Sequence, residues 1–148
     1  MSLEVWLNSK WLHKHETSAE EILSLIYSAE EDIRSAEIKG IATGWKLNMA
    51  YTAALRYARA ALYACGYRTA REREHERTID SLKFTINSIN DNTIILLHKI
   101  RKKRHTATYD SVEMISETDA DTAMEVATDL GQQVNNWLRE NHPELLSE

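Results

Sequence analysis

Apolar positions recur at helical spacing along most of the chain, and the breaks between runs carry helix start and stop signals. Ser18-Ala-Glu-Glu21 sets a hydroxyl at an N-cap with a carboxylate three residues later, the pattern of a capping box. Behind it Ile22, Ile26, Ala29, Ile33 and Ala36 share one face, with Glu30, Glu31, Asp32 and Arg34 away from it, and Gly40 ends the run. A second helix is predicted from about Gly44 to Cys65. Its stripe, Leu47, Ala50, Tyr51, Ala54, Ala58, Ala61 and Leu62, is rich in alanine, which lets a neighbouring helix approach closely. Gly66 suits the left-handed position that follows a helix, and Tyr67 is placed to pack back onto Leu62.

From Arg68 to Arg77 the charges alternate in sign, and the stretch grades into a helix with Ile79, Leu82, Ile86 and Ile89 inward. Asn90-Asp-Asn-Thr93 is a break and an N-cap cluster. The next helix carries Ile94, Leu97 and Ile100 and runs into Arg101-Lys-Lys-Arg-His105. Thr106 to Ile115 reads as a loop. Ser116-Glu-Thr-Asp119 then caps a last helix with Ala120, Ala123, Met124, Ala127, Leu130, Val134, Trp137 and Leu138 on its buried stripe, and Pro143 closes it. The expected fold is all-α: a five-helix antiparallel up-and-down bundle over residues 18–142. An N-terminal arm or short helix, residues 1–17, precedes it with Trp6, Leu7, Trp11 and Leu12, and residues 143–148 form a tail.

Composition supports this reading. One proline and four glycines in 148 residues leave room for long regular elements. One cysteine, Cys65, excludes an internal disulfide and suits a reducing cytoplasm; its place on the apolar stripe makes it a small core residue. No run approaches the roughly 18 apolar residues of a membrane span, so no membrane partner and no leader are expected.

Charge changes the picture more. Residues 51–104 hold twelve Lys/Arg against five Asp/Glu, a net of +7, inside a chain of net charge −5. The remainder therefore stands at −12. Two readings follow: basic and acidic helices pair inside such a bundle, or the basic middle receives an anion. Arg101, Lys102, Lys103, Arg104 and His105 are the densest part of it, followed by Tyr109-Asp110. His98, Arg101 and His105 share a helix face at i, i+3, i+7.

Other constellations carry less. His13-Lys-His15 offers two ligands near a terminus, too few for a metal site. Glu72, Glu74, His75 and Glu76 look like half of a di-iron signature whose second Glu-x-x-His copy does not exist. Arg71, Arg73 and Arg77 among glutamates read as a solvated, self-paired face, and Arg56 and Arg59 either extend the basic surface or snorkel over it. No metal or cofactor is expected, and there is no Gly-rich phosphate loop or nucleophile elbow.

Three segments in order resemble one family. They are Tyr51-Thr-Ala-Ala-Leu-Arg-Tyr-Ala-Arg-Ala-Ala-Leu-Tyr-Ala-Cys-Gly-Tyr-Arg68, a polar helix with the early His75, and Arg104-His-Thr-Ala-Thr-Tyr-Asp110 before a Glu/Ala-rich last helix. Over about residues 18–140 the chain is similar to the HEPN domain (higher eukaryotes and prokaryotes nucleotide-binding), in its small stand-alone prokaryotic branch. The resemblance implies a homodimer whose two motifs meet in a basic cleft. It also implies RNA or nucleotide as ligand and, in some members, a minimal nucleotidyltransferase partner in toxin–antitoxin-like modules. Arg104 matches the motif arginine, which would hold a phosphate. His105 takes the polar slot, and Tyr109 stands in the slot of the catalytic histidine. A phenol with an ordinary pKa near 10 does not exchange protons at neutral pH as histidine does.

The expectation is therefore nucleotide or RNA binding, or docking of a nucleotidyltransferase, at a degenerate ribonuclease site. Arg101, Lys102, Lys103, Arg104, His105 and Tyr109 form the binding set, supported by His98 and Asp110. The alternatives are an active metal-independent endoribonuclease using Arg104, His105 or Tyr109, and a non-catalytic module whose basic helix faces an acidic protein.

Overall fold

In a computed structural model, which describes residues 2–105 and 115–147, the protein is predominantly helical, as the periodicity predicts. Its centre is α3 (Thr43–Ala64), packed against α2 (Ala19–Ala36) on one side and α7 (Glu117–Asn141) on another. Further contacts come from α6 (Asp91–His105) and from two short helices, α4 (Glu74–Asp80) and α5 (Leu82–Thr85). The predicted stripe of α3 is buried from Leu47 to Leu62, but Ala53, Leu55, Tyr57 and Ala60 are buried as well. The apolar surface of α3 is wider than one stripe, and Asn48, Thr52, Arg56 and Arg59 are left on a narrow, half-buried polar face.

Alanine permits the enclosure, and α7 answers it with Gly131. A Cβ built there would lie 2.7 Å from the buried Tyr57 ring, so the glycine leaves the space that this ring fills.

Local signals hold with two differences. The Ser18 hydroxyl accepts from the Glu21 backbone N–H at 3.1 Å, but the Glu21 carboxylate turns to His15 and Thr17 instead of closing the box. At α7 both halves form, between Ser116 and Asp119. The helix expected around Ile79–Ile89 is interrupted at Ser81: its hydroxyl donates to the Thr78 carbonyl at 2.7 Å, and Thr85 donates to the Leu82 carbonyl. Side chains that bond nearby carbonyls compete with the helical ladder. The inward residues Ile79, Leu82 and Ile86 nonetheless remain buried.

The N-terminal segment is more than an arm. After α1 (Leu3–Asn8), strand β1 (Leu12–Lys14) pairs antiparallel with β2 (Tyr67–Thr69), with Leu12 opposite Thr69 and Lys14 opposite Tyr67. Trp6, Leu12 and Leu62 form a second small core, covered by Trp11, Tyr67 and Phe84. The Arg77 guanidinium lies 3.9 Å above the Trp11 ring and ties α4 to this corner. Past α7, Pro143–Leu146 forms a 3-10 turn against α2 and α7.

Candidate functional site: a basic cleft between α4 and α6

The connection after β2 and the start of α4 face the last turns of α6 across a cleft of about 580 Å³. One wall carries Arg71, Arg73, Glu74, His75 and Glu76; the other carries Arg101, Arg104 and His105. The α6 wall follows from helical spacing, since positions 101, 104 and 105 lie on one face. Basic residues in the last turn also suit the negative end of the helix dipole. The opposite wall is set by a tight entry into α4, where Arg73 has φ 52°, a left-handed conformation uncommon for a residue with a Cβ.

The cations in the cleft are not equivalent. Glu76 is shared by Arg101 at 3.5 Å and Arg73 at 3.8 Å. Glu74 is taken at 2.7 Å by Arg59, which reaches over from α3. Arg104 has no carboxylate among the described residues. Its Nε donates to Asn48 Oδ1 at 2.7 Å, and its guanidinium lies 5.4 Å from the centre of the Tyr51 ring. A neutral acceptor and an aromatic face hold the group in place without neutralising it, so its terminal N–H groups remain for an anion. Arg71 likewise has no ion-pair partner among the described residues.

Beneath Arg104, the Tyr51 hydroxyl and His75 Nδ1 are 3.0 Å apart. Burial pushes the Tyr51 phenol up to about 12 against the pull of Arg104, Arg101 and Arg59, so it stays protonated at neutral pH. Burial, then the guanidiniums of Arg59 and Arg104, hold His75 below the ordinary histidine range, so it is neutral there.

The structure sorts the residues expected from sequence. Arg101, Arg104 and His105 come together in the cleft. Lys103 instead pairs with Asp119 of α7 at 2.9 Å, and Lys102 is exposed away from the cleft wall. His98 joins helices: it donates through Nε2 to Asp80 at 2.7 Å and accepts from Arg101 Nε at 3.4 Å, which steadies Arg101. Tyr109 and Asp110 lie outside the described residues, as does all but Ile115 of the stretch expected as a loop, Thr106 to Ile115. Arg56 pairs with Asp32 rather than extending the basic surface. His15 bonds Glu21 at 2.6 Å, and among the described residues no cluster of His, Cys, Asp or Glu is arranged for a metal. Cys65 is half-buried, and burial pushes its thiol up to about 11.

Sequence reasoning missed Asn48, Tyr51 and Arg71 as parts of the site and gave His75 no role in it. Tyr51 follows the apolar stripe of α3, and no local pattern distinguishes it from a core residue. Arg71 and Arg73 alternate with glutamates, which hides that only some of those glutamates are available to them.

No protein-family model matches the chain, and no curated protein matches it significantly. Among the described residues no helix is long and apolar enough to cross a membrane.

Proposed function

We propose that the chain is a HEPN-like helical protein that binds RNA or nucleotide phosphates in the cleft between α4 and α6. The observation that carries this reading is Arg104, held by Asn48 and Tyr51 and, among the described residues, without a carboxylate, beside Arg71, which has no ion-pair partner among them either. Preorganised guanidinium groups with open N–H edges fit phosphate oxygens. The helical architecture supports the resemblance, and the +7 central segment supports an anionic ligand. Tyr109 in the motif slot of histidine supports binding over cleavage. Homodimer formation and docking of a minimal nucleotidyltransferase remain parts of this proposal.

Filter binding of short labelled RNAs at several salt concentrations tests it. Affinity that falls with salt and is lost in Arg71→Ala/Arg104→Ala supports the reading. Binding that ignores both sinks it. Cleavage of the same RNA in EDTA by the verified native protein, absent in Arg104→Ala, would place the chain with the active endoribonucleases instead.

A further inference from the structure

We propose that His75 is a ligand-contacting residue of the cleft, which takes up a proton from solvent when an anionic oxygen binds beside the Arg104 guanidinium. The inference rests on the phosphate-binding reading above and adds the residue and the proton linkage.

Tyr51 is the common support. Its ring lies under Arg104, and its hydroxyl meets His75 Nδ1 at 3.0 Å, so one buried side chain fixes both groups. The second ring nitrogen, Nε2, has no hydrogen bond among the described residues. It is not sealed either: among them, the buried side-chain nitrogen or oxygen without a partner is Trp6 Nε1. His75 lines the cleft, and with Nδ1 taken by Tyr51, Nε2 is the ring nitrogen left for a ligand there.

Burial, and then the surrounding charges, keep the proton off the ring until a ligand arrives. From α3, Arg59 faces the imidazole; from α6, Arg101 and Arg104 do, with His105 on the same wall. Arg71 and Arg73 line the approach. Glu74 favours the charged ring but is already engaged by Arg59, and Glu76 is divided between Arg73 and Arg101. An anion on Arg104 cancels part of the positive field. The ring then gains a proton and donates through Nε2 to the anion, while Nδ1–H donates to the Tyr51 oxygen. A phenol hydroxyl both donates and accepts, so it keeps its bond to Nδ1 through the change. No covalent bond forms or breaks.

Linkage sets the sign. The group titrates below its ordinary value when the cleft is empty and higher when it is filled, so binding tightens as pH falls through that interval. A coupling of one pKa unit is about tenfold in affinity.

The test is an NMR titration of the His75 ring in the native protein, with and without saturating sulfate. Alongside it runs the affinity for a short oligouridylate at constant ionic strength, from about pH 8 to about pH 5.5, where neither probe changes charge appreciably. The expected result is a His75 midpoint that rises with sulfate. Oligouridylate affinity should rise several-fold to about tenfold towards low pH, flatten in His75→Gln and persist in His105→Gln. An unmoved midpoint, or a rise that survives His75→Gln and vanishes in His105→Gln, overturns the inference while the cleft still binds. Failure to bind either probe at every pH overturns the phosphate-binding reading beneath it.

Discussion

If the cleft takes a polyphosphate backbone, its salt dependence follows from which guanidiniums are already shared. Arg71 and Arg104 have no carboxylate among the described residues, whereas Arg73 and Arg101 divide Glu76. Two free cations predict about two phosphates neutralised, a slope of log affinity against log salt of about −1.4 for a single strand. A fourfold rise in salt should then weaken binding about sevenfold. Arg104→Ala should halve the slope and lower affinity about tenfold or more, the range for a lost charge-assisted hydrogen bond. Glu76→Gln should act the other way: it releases Arg73 and Arg101 and steepens the slope towards about −2.8, with tighter binding at low salt. Fluorescence anisotropy on a labelled oligonucleotide, with a thermal melt to confirm the fold of each variant, gives both numbers. A slope unchanged by Arg104→Ala, or weaker binding by Glu76→Gln, would refute the reasoning, because each contradicts the stated sharing of charge.

Other perturbations test neighbouring claims. Gly131→Ala, which on an open helix face should stabilise by about 1 kcal/mol, should instead destabilise by about 1 kcal/mol net in chemical denaturation, since its Cβ meets the Tyr57 ring at 2.7 Å. Tyr57→Leu combined with it should be less than additive. Arg73→Gly removes a left-handed non-glycine residue, so stability should hold or rise by up to about 1 kcal/mol while RNA affinity falls. Asp119 is held below the ordinary carboxylate range by the Lys103 ammonium and the Ser116 cap. The stability it contributes is present above its unfolded value and lost as pH falls through the lower folded one, so Asp119→Asn should cost about 1 kcal/mol at neutral pH and progressively less in acid melts. Cys65, with its thiol pushed up to about 11, should react slowly with alkylating reagents near neutral pH in the native protein and rapidly once unfolded.

Periodicity carried α2 and α7 because each buries one apolar stripe, it carried α3 only in part because that helix is packed on several sides, and caps carried the ends. Ser18, Gly66 and Ser116 act within a few residues, so their roles can be read where they stand. The β1–β2 pair could not be read in this way: three-residue strands have too little alternation, and the pairing joins residues more than fifty positions apart. The break at Ser81 depends on which carbonyl a hydroxyl selects, and composition does not record that choice. At the site, Arg101 and His105 were legible on one helical face with His98, and Arg104 as a motif arginine; that Arg104 shares the cleft wall with Arg101 and His105 came from the structure. Asn48, Tyr51 and His75 were not legible, because their relation to Arg104 exists only once α3, α4 and α6 are packed.

The charge asymmetry posed two readings, internal pairing of acidic and basic helices or an anion site, and the structure shows the first for several residues. Pairing accounts for Arg56 with Asp32, Arg59 with Glu74 and Lys103 with Asp119, each joining α2, α4 or α7 to a basic helix. Pairs of this kind, partly exposed, contribute little stability individually, so their main effect is to remove cations from circulation. In the cleft that subtraction leaves Arg71 and Arg104 unshared among the described residues, and of the two it is Arg104 that neutral groups from them hold in position. A side chain kept charged, oriented and unpaired loses conformational freedom without gaining a neutralising contact. The arrangement is accounted for once an anion is supplied, which is why Arg104, rather than the density of the basic run around it, carries the functional argument.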